Sequence, residues 1–122
     1  MSNIPKSLVQ YLAAWNEMDS TKIRGHLQSS CAKDILFIDP ANITRNIDAL
    51  ETMIKKARIE RPTATYHRTS GVDGHNARYR YYWEVRIDGK AVMPGMDVTT
   101  LNAQGYVLQV DGFFGFMPKL EA

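Results

Sequence analysis

The amino-acid sequence predicts an α+β domain in which helices come first and an antiparallel sheet follows. Apolar residues recur at helical spacing in the N-terminal half of the chain. From Thr63 onward, four runs of branched and aromatic residues are typical of strands. Short turn signals such as Asp88-Gly89 separate these runs, as in antiparallel hairpins. The chain has 122 residues, so we expect a single domain over 1–122, with the helices covering one face of the sheet.

Apolar stripes and boundary residues place the helices. The first is predicted from about Pro5 to Met18, and its stripe consists of Leu8, Tyr11, Leu12 and Trp15. A second, short helix begins after Asp19 or Ser20, which are both good N-cap residues. The third begins near Asn46 and ends before Pro62. A strand that ends at Asp39 is expected between the second and third helices.

Strand alternation predicts a cavity lined by aromatic and apolar residues. The four later runs cover residues 63–71, 76–87, 90–101 and 106–114. Side chains two apart share a face, which places Asp97 among inward-facing neighbours. The predicted substrate-binding residues are Trp15, His67, Tyr81, Trp83, Met93 and Phe114. The facing of His67 stays open, because a shift of one residue would turn its imidazole outward.

Two carboxyl groups are the candidates for chemistry in this cavity. Asp97 faces apolar neighbours, and loss of hydration raises the pKa of such a carboxyl. Asp39 is expected at the rim, where a more hydrated carboxylate could accept a proton. Asp39 also precedes Pro40, so capping of a turn is an alternative role. Tyr11 is either a hydrogen-bond donor to substrate or a core tyrosine.

Composition and charge exclude several classes of function. Fifteen Lys and Arg against thirteen Asp and Glu leave a net charge of +2, which favours neither nucleic acid nor membrane as a partner. Basic and aromatic residues interleave in Arg78–Trp83, but alternation puts the arginines and most of the aromatics on opposite faces. The outward arginines favour a sheet-to-sheet homodimer.

The remaining chemistry-bearing residues indicate no cofactor. The three histidines lack the spacing of a metal site, and no phosphate loop or dinucleotide fingerprint is present. Cys31 is the only cysteine, so an internal disulfide is excluded. The N-terminal residues lack the basic start and apolar run of a signal peptide, and we expect a cytoplasmic protein.

Several motifs resemble the nuclear transport factor 2-like superfamily, in particular its SnoaL-like, or polyketide-cyclase-like, group. They are Tyr11-Leu-Ala-Ala-Trp15-Asn16, Phe37-Ile-Asp39-Pro40, Gly95-Met-Asp97-Val98 and Val110-Asp-Gly-Phe-Phe-Gly115. The resemblance covers nearly the whole chain. It implies a cone-shaped fold in which three N-terminal helices pack on a strongly bent antiparallel sheet. Tyr11, Asp39 and Asp97 also match the tyrosine, the base and the protonated aspartate of the ketosteroid isomerases.

The expected function is therefore that of a cofactor-independent enzyme that moves a proton next to a carbonyl group. Asp39 would be the base, while Asp97 and Tyr11 would donate hydrogen bonds to the developing oxyanion. The alternative is a binding protein that holds a hydrophobic small molecule without turnover. An epoxide hydrolase is a third alternative. That branch uses an Arg-x-Asp motif on a strand, whereas Arg86-Ile87-Asp88 here occurs at a turn.

Overall fold

A computed structural model describes residues 4–121 and has the predicted α+β class. Its helices are α1 (Lys6–Asn16), α2 (Ile23–Ser30) and α3 (Ile47–Glu60), with one 3₁₀ turn at Ser20–Lys22 before α2. Its strands are β1 (Cys31–Ile38), β2 (Ile43–Arg45), β3 (Ala64–Arg68), β4 (Asp73–His75), β5 (Arg78–Ile87), β6 (Lys90–Leu101) and β7 (Val107–Phe114).

The helices begin and end close to the predicted residues. Asp19 caps the 3₁₀ turn before α2, since its side chain accepts a hydrogen bond from the Thr21 backbone at 3.0 Å. Asn46 caps α3 in the same way, because its side chain accepts a hydrogen bond from the Ala49 backbone at 2.9 Å. Asn46 has a φ of 79°, which asparagine tolerates better than most residues. The predicted boundaries are therefore confirmed to within a few residues.

The sheet is mixed rather than purely antiparallel. Its seven strands follow the order β2-β1-β7-β6-β5-β3, and β4 pairs with β5. The later strands form antiparallel pairs as predicted, but β1 lies parallel to β7, with Phe37 beside Val110. The prediction of an antiparallel sheet is wrong at this one pair. Turn motifs predict pairing only between strands that are neighbours in the sequence, whereas most of the chain separates β1 from β7.

Two short strands, β2 and β4, were not predicted. Asp73 and Gly74 belong to β4, although Asp and Gly are residues typical of turns. The chain turns instead at Asn76 and Ala77, whose φ values of 48° and 61° fit a hairpin turn with both central residues in the left-handed region. Alanine rarely adopts that conformation, so the sequence did not indicate a turn at this position.

The core lies between the helices and the inner face of the sheet. It combines the stripes of all three helices with the inward residues of β1 and β7. The largest fully buried apolar side chains are Ile23, Leu27, Ile35, Leu50, Ile54, Val107 and Val110. Their burial supplies the main driving force for folding. The outer face of the sheet carries exposed aromatic residues, including Tyr82 and Phe113.

Gly95 on β6 provides a test of the packing between β5 and β6. A Cβ atom added there would lie 2.1 Å from the Trp83 indole, so Gly95→Ala must displace the ring. We expect the free energy of unfolding to fall by about 1–3 kcal/mol in urea titrations followed by tryptophan fluorescence. Gly25→Ala on α2 is the control, because nothing lies within 4 Å of its added methyl group. A helix gains up to about 1 kcal/mol from that change. Unchanged stability of Gly95→Ala would contradict the placement of Trp83.

Candidate active site

A single inner surface brings all but one of the predicted site residues together around a cavity of about 470 Å³. Its walls come from α1, α3 and the inner face of the sheet. The predicted residues that line it are Tyr11, Trp15, Asp39, Tyr81, Trp83, Met93, Asp97 and Phe114. This volume suits a small organic molecule, and the lining is mainly apolar and aromatic.

His67 does not line the cavity, so its predicted place in the substrate-binding set is wrong. Its neighbours on β3, Tyr66 and Arg68, line the cavity instead. Ala64 is fully buried, which sets the even-numbered positions of β3 inward and His67 outward. The His67 ring lies 2.7 Å from the Thr65 hydroxyl. The structure thus settles the facing that the sequence left open, because the start of the strand could not be placed to one residue.

Register across the sheet places the two carboxyl groups in one row. Tyr81 on β5 pairs with Asp97 on β6, and Asp97 pairs with Gly112 on β7. Asp39 follows the last residue of β1, next to Gly112. A Cβ atom added to Gly112 would lie 3.1 Å from Asp97 Oδ1 and 3.3 Å from Asp39 Cβ. The missing side chain at Gly112 therefore leaves the space that both carboxyl-bearing residues border.

Asp97 accepts hydrogen bonds on both carboxyl oxygens. The indole N–H of Trp83 donates to Oδ1 at 2.9 Å, and the Tyr81 hydroxyl donates to Oδ2 at 3.2 Å. Burial raises the pKa of Asp97 to about 6, although these two hydrogen bonds favour the charged form. The negative charge of Asp39 adds to the rise. The predicted upward shift is confirmed, and both protonation states of Asp97 are accessible near neutral pH.

Asp39 takes the turn-capping role that the sequence left open as an alternative. Its Oδ1 accepts hydrogen bonds from the backbone of Ala41 at 2.9 Å, the backbone of Asn42 at 2.8 Å and the Asn42 side chain at 3.2 Å. Asp39 therefore caps the turn after β1, as Asx residues often do. The residue nevertheless lines the cavity. Oδ2 is the oxygen that remains for contact with a bound molecule.

Two buried tyrosines place hydroxyl groups beside this row. Burial and the charge of Asp97 raise the pKa of both Tyr11 and Tyr81 well above the usual value. Both hydroxyls therefore stay protonated and act as donors. Tyr81 already donates to Asp97. Tyr11 on α1 is 3% exposed and also lines the cavity, near enough to Asp97 for that charge to raise its pKa.

Aromatic rings hold the remaining walls in place. Trp15 contacts Phe37 and Tyr66, with ring centroids 5.9 and 5.1 Å apart. Trp83 meets Phe114 edge to face at 6.0 Å. Sequence reasoning missed Tyr66 and Phe37 as lining residues. The alternation along each strand marks Phe37 as inward-facing, since it lies two residues before Asp39, and it could have found this side chain.

The cavity offers hydrogen-bonding groups and apolar surface. Residues 4–121 contain no group of three or more His, Cys, Asp or Glu side chains placed to hold a metal ion. Over the same residues, no helix has the length and apolar character needed to cross a membrane.

Asp88, the acid of the epoxide-hydrolase pattern, lies at an exposed turn, and Arg86 is ion-paired with Glu84 at 2.6 Å. The two charged residues of that pattern therefore do not line the cavity.

Helices on one face of an open sheet, with an apolar cavity between them that holds two carboxyl groups, define the nuclear transport factor 2-like class. The chain is similar to a SnoaL-like family protein from Agrobacterium tumefaciens strain C58 that is proposed to be an isomerase. Sequence identity is 30%, the match covers 91% of this chain and 96% of the other, and the TM-score is 0.86. This protein therefore belongs to the SnoaL-like family.

More distant structures share the fold alone. A proposed polyketide cyclase from Sinorhizobium meliloti has 14% identity and a TM-score of 0.72, with 90% of this chain and 95% of that chain covered. A nuclear transport factor 2-like protein of unknown function from Cytophaga hutchinsonii has 10% identity and a TM-score of 0.70, with 93% and 91% covered. No protein-family model and no curated protein matches the sequence.

The raised pKa of Asp97 makes folding stability depend on pH. The unfolded chain keeps a pKa of 3.8 and the folded chain one of about 6, so the folded state binds more protons between these values. Stability is therefore highest below pH 3.8 for this group and is lost as the pH rises through about 6. Between pH 4 and pH 7 we expect the free energy of unfolding, measured by urea titration, to fall by up to about 3 kcal/mol. Asp97→Asn should remove the slope, while the exposed Asp34→Asn should keep it. Equal slopes in wild type and Asp97→Asn would contradict the shift.

Proposed function

We propose that the protein is a cofactor-independent enzyme that moves a proton next to a carbonyl group of an apolar small molecule. The main support is that two carboxyl groups, Asp39 directly after β1 and Asp97 on β6, border one apolar cavity. Asp97 has a pKa of about 6. A carboxyl poised near the working pH can take a proton and return it. The isomerase and cyclase proposals attached to structurally similar proteins support the same class of reaction.

The hydrogen bonds favour Asp97 as the proton carrier. A carboxylate with a pKa of about 6 is mostly ionised at pH 7 and is a stronger base than an ordinary aspartate. Trp83 can only donate, which fixes Oδ1 as an acceptor. This assignment differs from the one expected from the sequence, in which Asp39 was the base and Asp97 a hydrogen-bond donor. Asp39 then raises the basicity of Asp97 through its charge.

The proposed step begins when Asp97 removes a proton from the carbon next to the carbonyl. The C–H bonding electrons form the enolate, and the negative charge develops on the carbonyl oxygen. The buried Tyr11 hydroxyl donates a hydrogen bond to that oxygen. Return of the same proton to another carbon gives an isomer. In the second outcome the enolate carbon attacks a second carbonyl and closes a ring, and the resulting alkoxide takes the proton from Asp97. Neither outcome requires an oxidant or a cofactor.

One observation favours the alternative of a binding protein. Both carboxyl groups already accept hydrogen bonds within the protein, which holds them in fixed positions as in a recognition site. In that case a hydrophobic small molecule would occupy the same cavity without turnover. The two functions differ in a single measurable property, the exchange of hydrogen between ligand and solvent.

The predicted homodimer and the cytoplasmic location stay predictions. The outer face of the sheet supports the homodimer with one apolar row, in which Tyr82 pairs with Met96 and Met96 with Phe113. Tyr82 is 59% exposed and Phe113 is 57% exposed, which is high for aromatic side chains. A second copy of the chain could cover this row.

Hydrogen exchange in heavy water tests the proposed function directly. A panel of apolar ketones with acidic hydrogens next to the carbonyl is incubated with the protein, and deuterium incorporation is followed by NMR. We expect at least one ketone to exchange faster than in buffer, with a rate that rises with pH through about 6 and then levels off. Asp97→Asn should lower the enhanced rate about 100-fold or more.

Matched variants separate the alternatives. Asp39→Asn should retain exchange and move the pH midpoint downward, because it removes a charge that raises the pKa of Asp97. Asp34→Asn, at an exposed position on β1, should behave like wild type. Loss of exchange in Asp39→Asn with a normal rate in Asp97→Asn would return the base role to Asp39. Binding of ketones without any exchange would establish the binding protein instead.

A further inference from the structure

The exposed end of the cavity carries more positive than negative side chains. Lys56, Arg61 and Arg68 line it, together with Glu60 from α3. Lys56 and Glu60 lie 3.9 Å apart and offset each other's charge. The ion pairs formed within residues 4–121 include neither Arg61 nor Arg68. We call these two arginines the cationic rim.

The cationic rim flanks one aromatic wall of the cavity. Arg61 follows the end of α3, and its guanidinium lies beside the Tyr66 hydroxyl, where it opposes the rise that burial causes in the Tyr66 pKa. Arg68 lies two residues beyond Tyr66 on β3, on the same face. Arg68 pairs in register with Trp83, one step along the sheet from the row of Asp97. The rim therefore borders both the aromatic wall and the carboxyl groups.

Most of the donors on the cationic rim remain for a ligand. Arg68 donates one hydrogen bond, from Nη1 to the Ser70 carbonyl at 2.7 Å, and a guanidinium has five N–H donors. Its planar fork matches the two oxygens of a carboxylate. Such a pair gains strength beside an apolar wall, where water screens it less.

We propose that the natural ligand is an amphipathic carboxylate, with its apolar body in the cavity and its carboxylate on Arg61 and Arg68. Arg61 and Arg68 are both exposed, whereas Asp39 and Asp97 on the same inner surface repel a second negative charge, so the carboxylate of the ligand stays on the two arginines. The carboxylate points outward, and the apolar part that carries the reactive carbonyl faces Asp97. The position of the carbonyl rests on the proposed function, whereas the preference for a carboxylate does not.

A matched pair of ligands tests this preference. The probes are 2-naphthylacetic acid, which is anionic at pH 7.5, and its neutral and nearly isosteric primary amide, both titrated by calorimetry. Wild type should bind the acid about tenfold more tightly than the amide, as expected for a charged hydrogen bond at a partly exposed site. The double variant Arg61→Gln, Arg68→Gln should bring the two dissociation constants together and leave that of the amide unchanged.

Control variants separate this proposal from the proposed function. Arg78→Gln changes an exposed arginine that does not line the cavity, and should retain the tenfold preference. Asp97→Asn should keep the preference while deuterium exchange is lost. Equal binding of acid and amide by wild type, a preserved preference in the double variant, or no binding of either probe would overturn the carboxylate proposal. None of these results would affect exchange in neutral ketones, on which the proposed function depends.

Discussion

The hydrogen bonds from Trp83 and Tyr81 to Asp97 are the interaction on which the rest of the site depends. Tyr81 and Trp83 are two residues apart on β5, so both point to the inner face of the sheet. The register with β6 places Asp97 opposite Tyr81 and Gly95 opposite Trp83. The absence of a side chain at Gly95 leaves room for the indole ring, and its N–H then reaches Asp97 Oδ1. Strand alternation, register and one glycine together fix the carboxyl group.

The chemistry of the site follows from a competition between burial and these hydrogen bonds. Burial disfavours the charged form of Asp97 and is the largest influence, which is why its pKa rises to about 6. Without the two donors the carboxyl would be still harder to ionise, because both hydrogen bonds lower its pKa. With them, both protonation states are accessible, which is the condition for accepting and returning a proton.

The sequence predicted the parts of the fold that depend on local patterns. The three helices, the long strand from Lys90 to Leu101 and the inward facing of Asp97 follow from periodicity and caps, and the structure contains them. The parallel pairing of β1 with β7 depends on packing between distant segments and could not be inferred locally. His67 was misplaced because strand facing inverts with a one-residue change in register.

The roles within the site were less accessible from the sequence than its location. Asp39, Asp97 and Tyr11 could be identified as cavity residues, but their hydrogen-bond partners depend on side-chain geometry. The acceptor role of the two Asp97 oxygens arises from the reach of the Trp83 indole to Oδ1 and of the Tyr81 hydroxyl to Oδ2, which no spacing reveals. The cationic rim was also missed, because Arg61 and Arg68 belong to different elements that meet only in the folded chain.

The proton-carrying role of Asp97 is tested most directly by a carbon-13 NMR titration of the aspartate carboxyl groups, with the Asp97 signal assigned from its absence in Asp97→Asn. We expect a midpoint near 6 for Asp97 in the ligand-free protein. This midpoint should fall in Asp39→Asn and rise in Trp83→Phe, which removes the indole donor. A midpoint near the ordinary aspartate value of 3.8 would show a hydrated carboxyl and would contradict Asp97 as the proton carrier.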